Sequence, residues 1–116
     1  MEPTKDNIHK AAIIVADELE MDELESNKIV AFNEYEEVKN FLAQRIKYLL
    51  EHNTEKLKYV LYRIDVSEQK VHDALANHTL EVGSQQIAEL IFQREIQKAI
   101  TRKQYASQPV DPDLAL

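Results

Sequence analysis

Apolar residues recur at three- and four-residue steps along most of this 116-residue chain. That spacing places them on one face of a helix, so the pattern predicts a series of amphipathic helices. The clearest example is the stretch 57–75, in which two short helical patterns are separated by the corner Ile64-Asp65-Val66-Ser67. Ser67 can accept hydrogen bonds from the first free backbone N–H groups of the second helix. We therefore predict that this helical corner organises the rest of the chain.

The first forty residues predict one helix followed by a linker. A helix over about 7–20 has apolar residues spaced for burial, although the β-branched run 13–15 leaves a short strand as a competing interpretation. We favour the helix because no partner strand can be found elsewhere. Residues 17–25 read DELEMDELE and lack the glycine that a calcium loop needs. They predict a solvated helix end rather than a cation site, followed by an ordered linker at 22–32.

Two further helical patterns lie on either side of the corner. Asn33 and Glu36 have the spacing of a capping box, and they predict the start of a helix that runs to about residue 51. An irregular linker is expected at 78–83. The last helix is predicted to begin at Ser84 and to end near Tyr105.

These patterns predict an all-α fold of four to five helices in an antiparallel, bundle-like single domain. We expect this domain to cover residues 1–106, with a partly linker-like acidic segment at 17–32, and the proline-containing residues 107–116 to form a flexible tail. The predicted core consists of Val38, Leu42, Ile46, Leu49, Leu57, Val60, Leu61, Ile64, Val71, Leu75, Ile87, Leu90 and Ile91.

Composition narrows the classes of function. The chain has one glycine and no cysteine, which excludes glycine-rich phosphate loops, thiolate catalysis and cysteine-ligated metals and fits a cytoplasmic location. The longest apolar run, residues 11–16, is about a third of what a bilayer crossing requires, so no membrane association is expected. Residues 1–40 hold four lysines and eleven acids, whereas residues 41–116 hold ten charges of each sign. All of the net charge of −7 therefore lies in the first third.

No catalytic, cofactor or metal site is predicted. The chain has four histidines, and no two of them stand three or four residues apart, as a helical metal pair requires. Acidic pairs are frequent, but no pattern marks one of them as buried, and burial is what would tune a carboxylate for catalysis. We therefore expect a protein that is not an enzyme.

Two groups of residues are candidates for interaction. One is a basic row on the last helix, in which Arg94, Lys98 and Arg102 stand four residues apart and Lys103 follows. The other is the pair Tyr59 and Tyr62, which flanks the core positions of its helix. We expect a non-catalytic protein-interaction or scaffolding module that binds a protein partner or a second copy of itself. The alternative is a nucleic-acid-associated factor that uses the basic row.

The corner also carries a family resemblance. The stretch YRIDVSEQKVHDAL, followed by IAELIFQREIQKAITRKQY, resembles a family of small uncharacterised all-helical bacterial proteins. Members of that family combine an arginine-isoleucine-aspartate-valine corner with a C-terminal helix that ends in basic residues and an aromatic. The resemblance covers residues 41–105 and implies a bacterial cytoplasmic helical domain. It assigns no catalytic or binding residue, because these motifs carry no known activity.

Ion pairing at the corner is a further hypothesis. Arg63 and Asp65 flank Ile64, which the helical pattern assigns to the core. An ion pair from either residue to a neighbouring helix would fix the angle between the two helices of the corner.

Overall fold

The computed structural model describes residues 4–32 and 34–106, with the side chains of all of these except Val30 and residues 103–106. This part of the chain forms helices and contains no β-strand. In chain order they are α1 (Lys5–Glu18), α2 (Glu23–Ala31), α3 (Tyr35–His52), α4 (Thr54–Ile64), α5 (Glu68–Ala76) and α6 (Leu80–Ala106). The predicted all-α class is confirmed, whereas the predicted number of four to five helices is too low.

The additional helix is α2, which occupies the predicted linker at 22–32. Asp22 and Glu25 form a capping box, in which Asp22 Oδ1 accepts from the Glu25 N–H at 2.8 Å and Glu25 Oε1 accepts from the Asp22 N–H at 3.3 Å. Two of the acids in the DELEMDELE segment therefore satisfy free backbone donors and begin a helix. The helix end is confirmed, because α1 ends at Glu18, whereas the predicted linker at 22–32 is wrong.

The start of α6 also differs from the prediction. The helix begins at Leu80, where Thr79 Oγ1 accepts a hydrogen bond from the Val82 N–H at 3.3 Å. Ser84 is not the cap, because it lies inside the helix and its hydroxyl donates to the Leu80 carbonyl oxygen at 2.7 Å. Gly83 is part of the helix too, since its N–H bonds to the Thr79 carbonyl oxygen at 2.8 Å. Most of the predicted linker at 78–83 is therefore the first turn of α6.

Three predictions fall on residues that the structure does not describe. They are the capping role of Asn33, the flexible tail at 107–116 and the position of the Lys103 side chain.

The longest helix, α6, is the central packing element and contacts α1, α3, α4 and α5. Phe92 of α6 stacks on Tyr35 of α3 with ring centroids 5.0 Å apart, and Lys47 Nζ lies 2.9 Å from Glu81 Oε2. The start of α3 is thus beside the middle of α6, and the later part of α3 is beside the start of α6. The two helices are therefore antiparallel.

Most of the predicted core is buried, with four exceptions. Nine of the thirteen predicted residues are buried, Leu61, Val71 and Leu90 are half-buried, and Leu75 is 41% exposed. The assignment of Leu75 to the core is wrong because α5 packs on α6 through Ala74, and Leu75 lies at the edge of that contact, near Gly83. The nine buried residues are Val38, Leu42, Ile46, Leu49, Leu57, Val60, Ile64, Ile87 and Ile91.

Tyr35 makes the stability of the fold depend on pH in the alkaline range. Burial, reinforced by the negative charge of Glu89, raises the pKa of Tyr35 from 10.0 to about 12. A tyrosine in the unfolded chain loses its proton near pH 10, so above that pH the unfolded state is favoured progressively until the folded pKa is reached. Stability is therefore unaffected by this group below pH 10 and falls between pH 10 and 12. We expect a loss of about 1 kcal/mol after allowance for solvent screening of the partly exposed ring.

We predict that Tyr35→Phe removes this part of the alkaline loss. At pH 7 the variant should be equal in stability to the wild type or about 0.5 kcal/mol more stable, because Tyr35 Oη is buried without a hydrogen-bond partner among the described residues. Urea unfolding at pH 7 and at pH 11.5 measures both effects, and Tyr48→Phe, in which the ring is half-exposed, is the control. An alkaline loss in Tyr35→Phe as large as that of the wild type would contradict the prediction.

Candidate functional site

The corner between α4 and α5 is built by a left-handed residue. Asp65 has φ 67° and ψ 55°, and its N–H bonds to the Tyr62 carbonyl oxygen at 3.2 Å while the Val66 N–H bonds to the Leu61 carbonyl oxygen at 3.1 Å. This is a Schellman ending, in which an aspartate takes the place of the usual glycine. Ser67 Oγ then accepts from the Lys70 N–H at 3.3 Å, which confirms the predicted cap of α5.

Ion pairs connect the corner to two other helices. Asp65 Oδ2 lies 3.4 Å from an Arg94 nitrogen of α6, and Glu18 Oε1 of α1 lies 3.5 Å from an Arg63 nitrogen. The hypothesis that one of these residues pairs with a neighbouring helix is therefore confirmed for both. A hydrogen bond with Tyr59 and the nearby Glu18 carboxylate raise the pKa of Arg63 above its ordinary value. These exposed pairs contribute little stability, and they orient the corner relative to α1 and α6.

A groove of about 700 Å³ opens between α4 and α5. Its floor is apolar and consists of the half-buried side chains of Leu61, Val66 and Val71. Leu61 and Val66 are also the two positions at which a Schellman ending commonly makes a hydrophobic contact, so the turn itself places them together. The remaining lining residues are Lys58, Tyr62, Asp65, Ser67, Glu68 and His72. The groove, which we call the α4–α5 groove, therefore has an apolar floor and a rim with both signs of charge.

The two candidate tyrosines lie at different places. Tyr62 lines the α4–α5 groove and is 83% exposed. Tyr59 lies at a smaller depression of about 180 Å³ between α1 and α4, where its hydroxyl accepts from Arg63 at 3.2 Å. The guanidinium carbon of Arg63 also lies 5.7 Å from the centre of the Tyr59 ring. Tyr59 thus has an intramolecular partner, whereas Tyr62 projects beside the groove.

The basic row on α6 is largely paired with acids. Arg94 bonds to Asp65, Lys98 Nζ lies 3.2 Å from Glu95 Oε1, and an Arg102 nitrogen lies 3.8 Å from Glu95 Oε2. Glu95 is only 3% exposed, and its burial among the apolar residues of α6 was not predicted. Its spacing of four residues from Ile91 and from Ala99, which are both buried, is the signal that could have identified it. These contacts place two carboxylates against Arg94, Lys98 and Arg102, which lowers the positive charge that could attract phosphate.

Neither a group of three metal ligands nor a membrane-spanning helix is found in residues 4–32 and 34–106. Within these ranges no three His, Asp or Glu side chains are grouped so that they could hold a metal ion. None of the helices described is long and apolar enough to cross a bilayer. Comparisons with protein-family models, with curated proteins and with solved structures found no match to this chain. The resemblance of residues 41–105 to a bacterial helical family therefore stays a prediction.

The α4–α5 groove can hold apolar side chains of another protein. Two helices that diverge from a corner and expose apolar residues at three- and four-residue steps present a surface suited to a partner helix. Leu61, Val71 and Leu75 were predicted as core because their spacing is that of buried residues. Sequence periodicity identifies an apolar face, but it does not tell whether that face is covered by the same chain or by another one.

Proposed function

We propose that this protein is a non-catalytic protein-interaction module and that its binding surface is the α4–α5 groove. The observation that carries the proposal is the apolar floor of the groove, where Leu61, Val66 and Val71 are only half-buried, beside Tyr62, which is 83% exposed. Apolar surface in contact with water costs about 25 cal/mol per Å², so a partner that covers these residues gains free energy. Scattered exposed apolar residues are ordinary, but a contiguous groove of them is typical of an interaction site.

The rim of the groove has the features of a protein interface. Tyr62 is the most exposed of the large apolar side chains in the described residues, at 83%, and tyrosine is enriched among the residues that contribute most to binding. Lys58 and Glu68 stand on opposite helices of the groove. An apolar centre with a polar, charged rim is the usual anatomy of a surface that binds another protein.

We predict that the double substitution Tyr62→Asp with His72→Asp, at two exposed residues that line the groove, abolishes binding to the natural partner. The two carboxylates would be desolvated on binding without a counter-charge, which costs several kcal/mol, so the amount of retained partner should fall at least about tenfold. Affinity capture from cells that naturally contain the protein, with wild-type and variant chains as bait, measures this loss.

The matched control is the double substitution Ile13→Asp with Tyr48→Asp. These residues are 52% and 51% exposed and lie on α1 and α3, away from the groove lining, and the control adds the same charge. It should retain every protein that the wild type retains. The proposal is wrong if the groove variant and the wild type retain the same proteins in equal amounts.

A further inference from the structure

We infer that the partner of the α4–α5 groove is a second copy of this chain, paired about a two-fold axis so that α4 of each copy lies against α5 of the other. This inference rests on the proposed function and names its partner. In a dimer with two-fold symmetry, each contact between two different residues of the two copies is repeated with the roles of the copies exchanged. The surface must therefore be complementary to itself.

The groove has charges of opposite sign on its two helices, Lys58 on α4 and Glu68 on α5. The other cations of α4, Lys56 and Arg63, pair instead with acids at or just after the end of α1. A groove of one sign would repel its own copy, whereas this arrangement attracts it when α4 faces α5.

Lys58 and Glu68 are the charges best placed to pair between copies. Both line the groove, Lys58 on α4 and Glu68 on α5. The intramolecular contact of Lys58 is with Glu55 at 3.5 Å, and both of these side chains are more than 70% exposed. Such an exposed contact is weak, so it does not prevent Lys58 from reaching Glu68 of a second copy.

The distribution of charge along the chain removes the main objection to self-association. A net charge of −7 would oppose the approach of two copies. The whole excess of acid lies in residues 1–40, however, and residues 41–116 are neutral overall. Two acids of the first part, Glu18 and Glu20, pair with Arg63 and Lys56 of α4. All charged residues that line the groove belong to the neutral part of the sequence.

Tyr62 supplies the apolar part of the contact. It projects at the wall of the groove, so in a two-fold pair the Tyr62 ring of each copy can enter the groove of the other and cover Leu61, Val66 and Val71. A buried tyrosine covers about 150–250 Å², and two of them supply a minor share of a standard interface. We therefore expect a reversible dimer with a dissociation constant on the order of 10 μM.

Charge reversal tests the pairing directly in the full-length chain by sedimentation equilibrium. Lys58→Glu alone and Glu68→Lys alone each place like charges opposite one another twice in the dimer, so each should raise the dissociation constant by about tenfold. An equimolar mixture of the two variants should restore association, because both contacts of the mixed dimer then join opposite charges. A change in folding cannot produce this rescue.

Tyr62→Ala should weaken the dimer as well, and Tyr48→Ala, on α3 and of similar size, should leave it unchanged. The inference is overturned if the wild type sediments as a monomer at about 1 mM, or if the mixture of charge variants associates no better than either variant alone. A monomer whose capture of another protein still depends on Tyr62 and His72 would overturn the second copy as partner and leave the proposed function standing. A monomer without such capture would overturn both.

Discussion

Phe92→Ala should lower the free energy of unfolding by about 4 kcal/mol, the largest effect we expect from a single substitution in this protein. Phe92 is fully buried in α6, and its ring stacks on Tyr35 of α3 at a centroid distance of 5.0 Å and an interplanar angle of 22°. Its removal deletes the aromatic contact and leaves a cavity where the two longest helices meet. Small domains are stable by about 5–15 kcal/mol, so the variant should be close to unfolding at room temperature.

Urea unfolding followed by circular dichroism measures this loss. Phe92→Leu is the matched control, because it keeps most of the buried volume and should cost only about 1–1.5 kcal/mol. A loss below about 1.5 kcal/mol in Phe92→Ala would show that the site collapses around the smaller side chain. The expectation of a central packing role for Phe92 would then be wrong.

Gly83→Leu should cost about 2 kcal/mol and should also disrupt the α4–α5 groove. A Cβ atom at position 83 would lie 3.0 Å from the Ala74 carbonyl oxygen and 3.6 Å from Leu75 Cδ2, so a larger side chain has to displace α5 from α6. Leucine favours a helix over glycine by about 1 kcal/mol, and the strain has to exceed this gain. We expect a loss both of stability and of groove-dependent binding.

The control for Gly83→Leu is Val82→Leu at the adjacent, 43% exposed position. The leucine side chain would be exposed to solvent at this position and would not contact α5. The substitution should therefore alter the free energy of unfolding by less than about 0.5 kcal/mol. Parallel unfolding curves and binding measurements separate the two variants. If Gly83→Leu leaves the free energy of unfolding unchanged, α5 can move away from α6 without loss of stability, and the prediction is wrong.

The all-α class and the corner were predictable because they depend on local signals. The apolar spacing in 57–75, the Ser67 cap and the break at Asp65 are all readable in the sequence, and the structure confirms them. The helix α2 was predictable in principle, since Asp22 and Glu25 have capping-box spacing. The density of acids in this segment is also typical of a solvated linker, and that signal hides the capping box.

The residue at which α6 begins could not be predicted from local sequence, because it depends on a tertiary contact. A glycine within a helix costs about 1 kcal/mol, which makes Gly83 look like a break. The close approach of the Ala74 carbonyl oxygen, which explains why a residue without a side chain lies there, involves a residue nine positions earlier in another helix. No local pattern shows that contact.

Some residues of the candidate site were predictable from the sequence, but their arrangement into a groove was not. Tyr62 was identified from its place beside the core positions of its helix. Leu75 has the spacing of a core residue, but the sequence does not reveal that it lies at the edge of the contact between α5 and α6 and is 41% exposed. The pairing of the basic row likewise depends partly on Asp65, which is 29 residues from Arg94 along the chain.

The packing of α5 mainly on α6 makes this helix a unit of low local stability. It has nine residues, is held through Ala74 and forms one whole wall of the α4–α5 groove. The groove therefore exists only while α5 is docked, and any partner that binds there also shifts α5 toward its docked position. Binding is therefore coupled to the local unfolding of α5. A substitution that destabilises the docked position of α5 weakens binding, even where the substituted residue does not contact the partner.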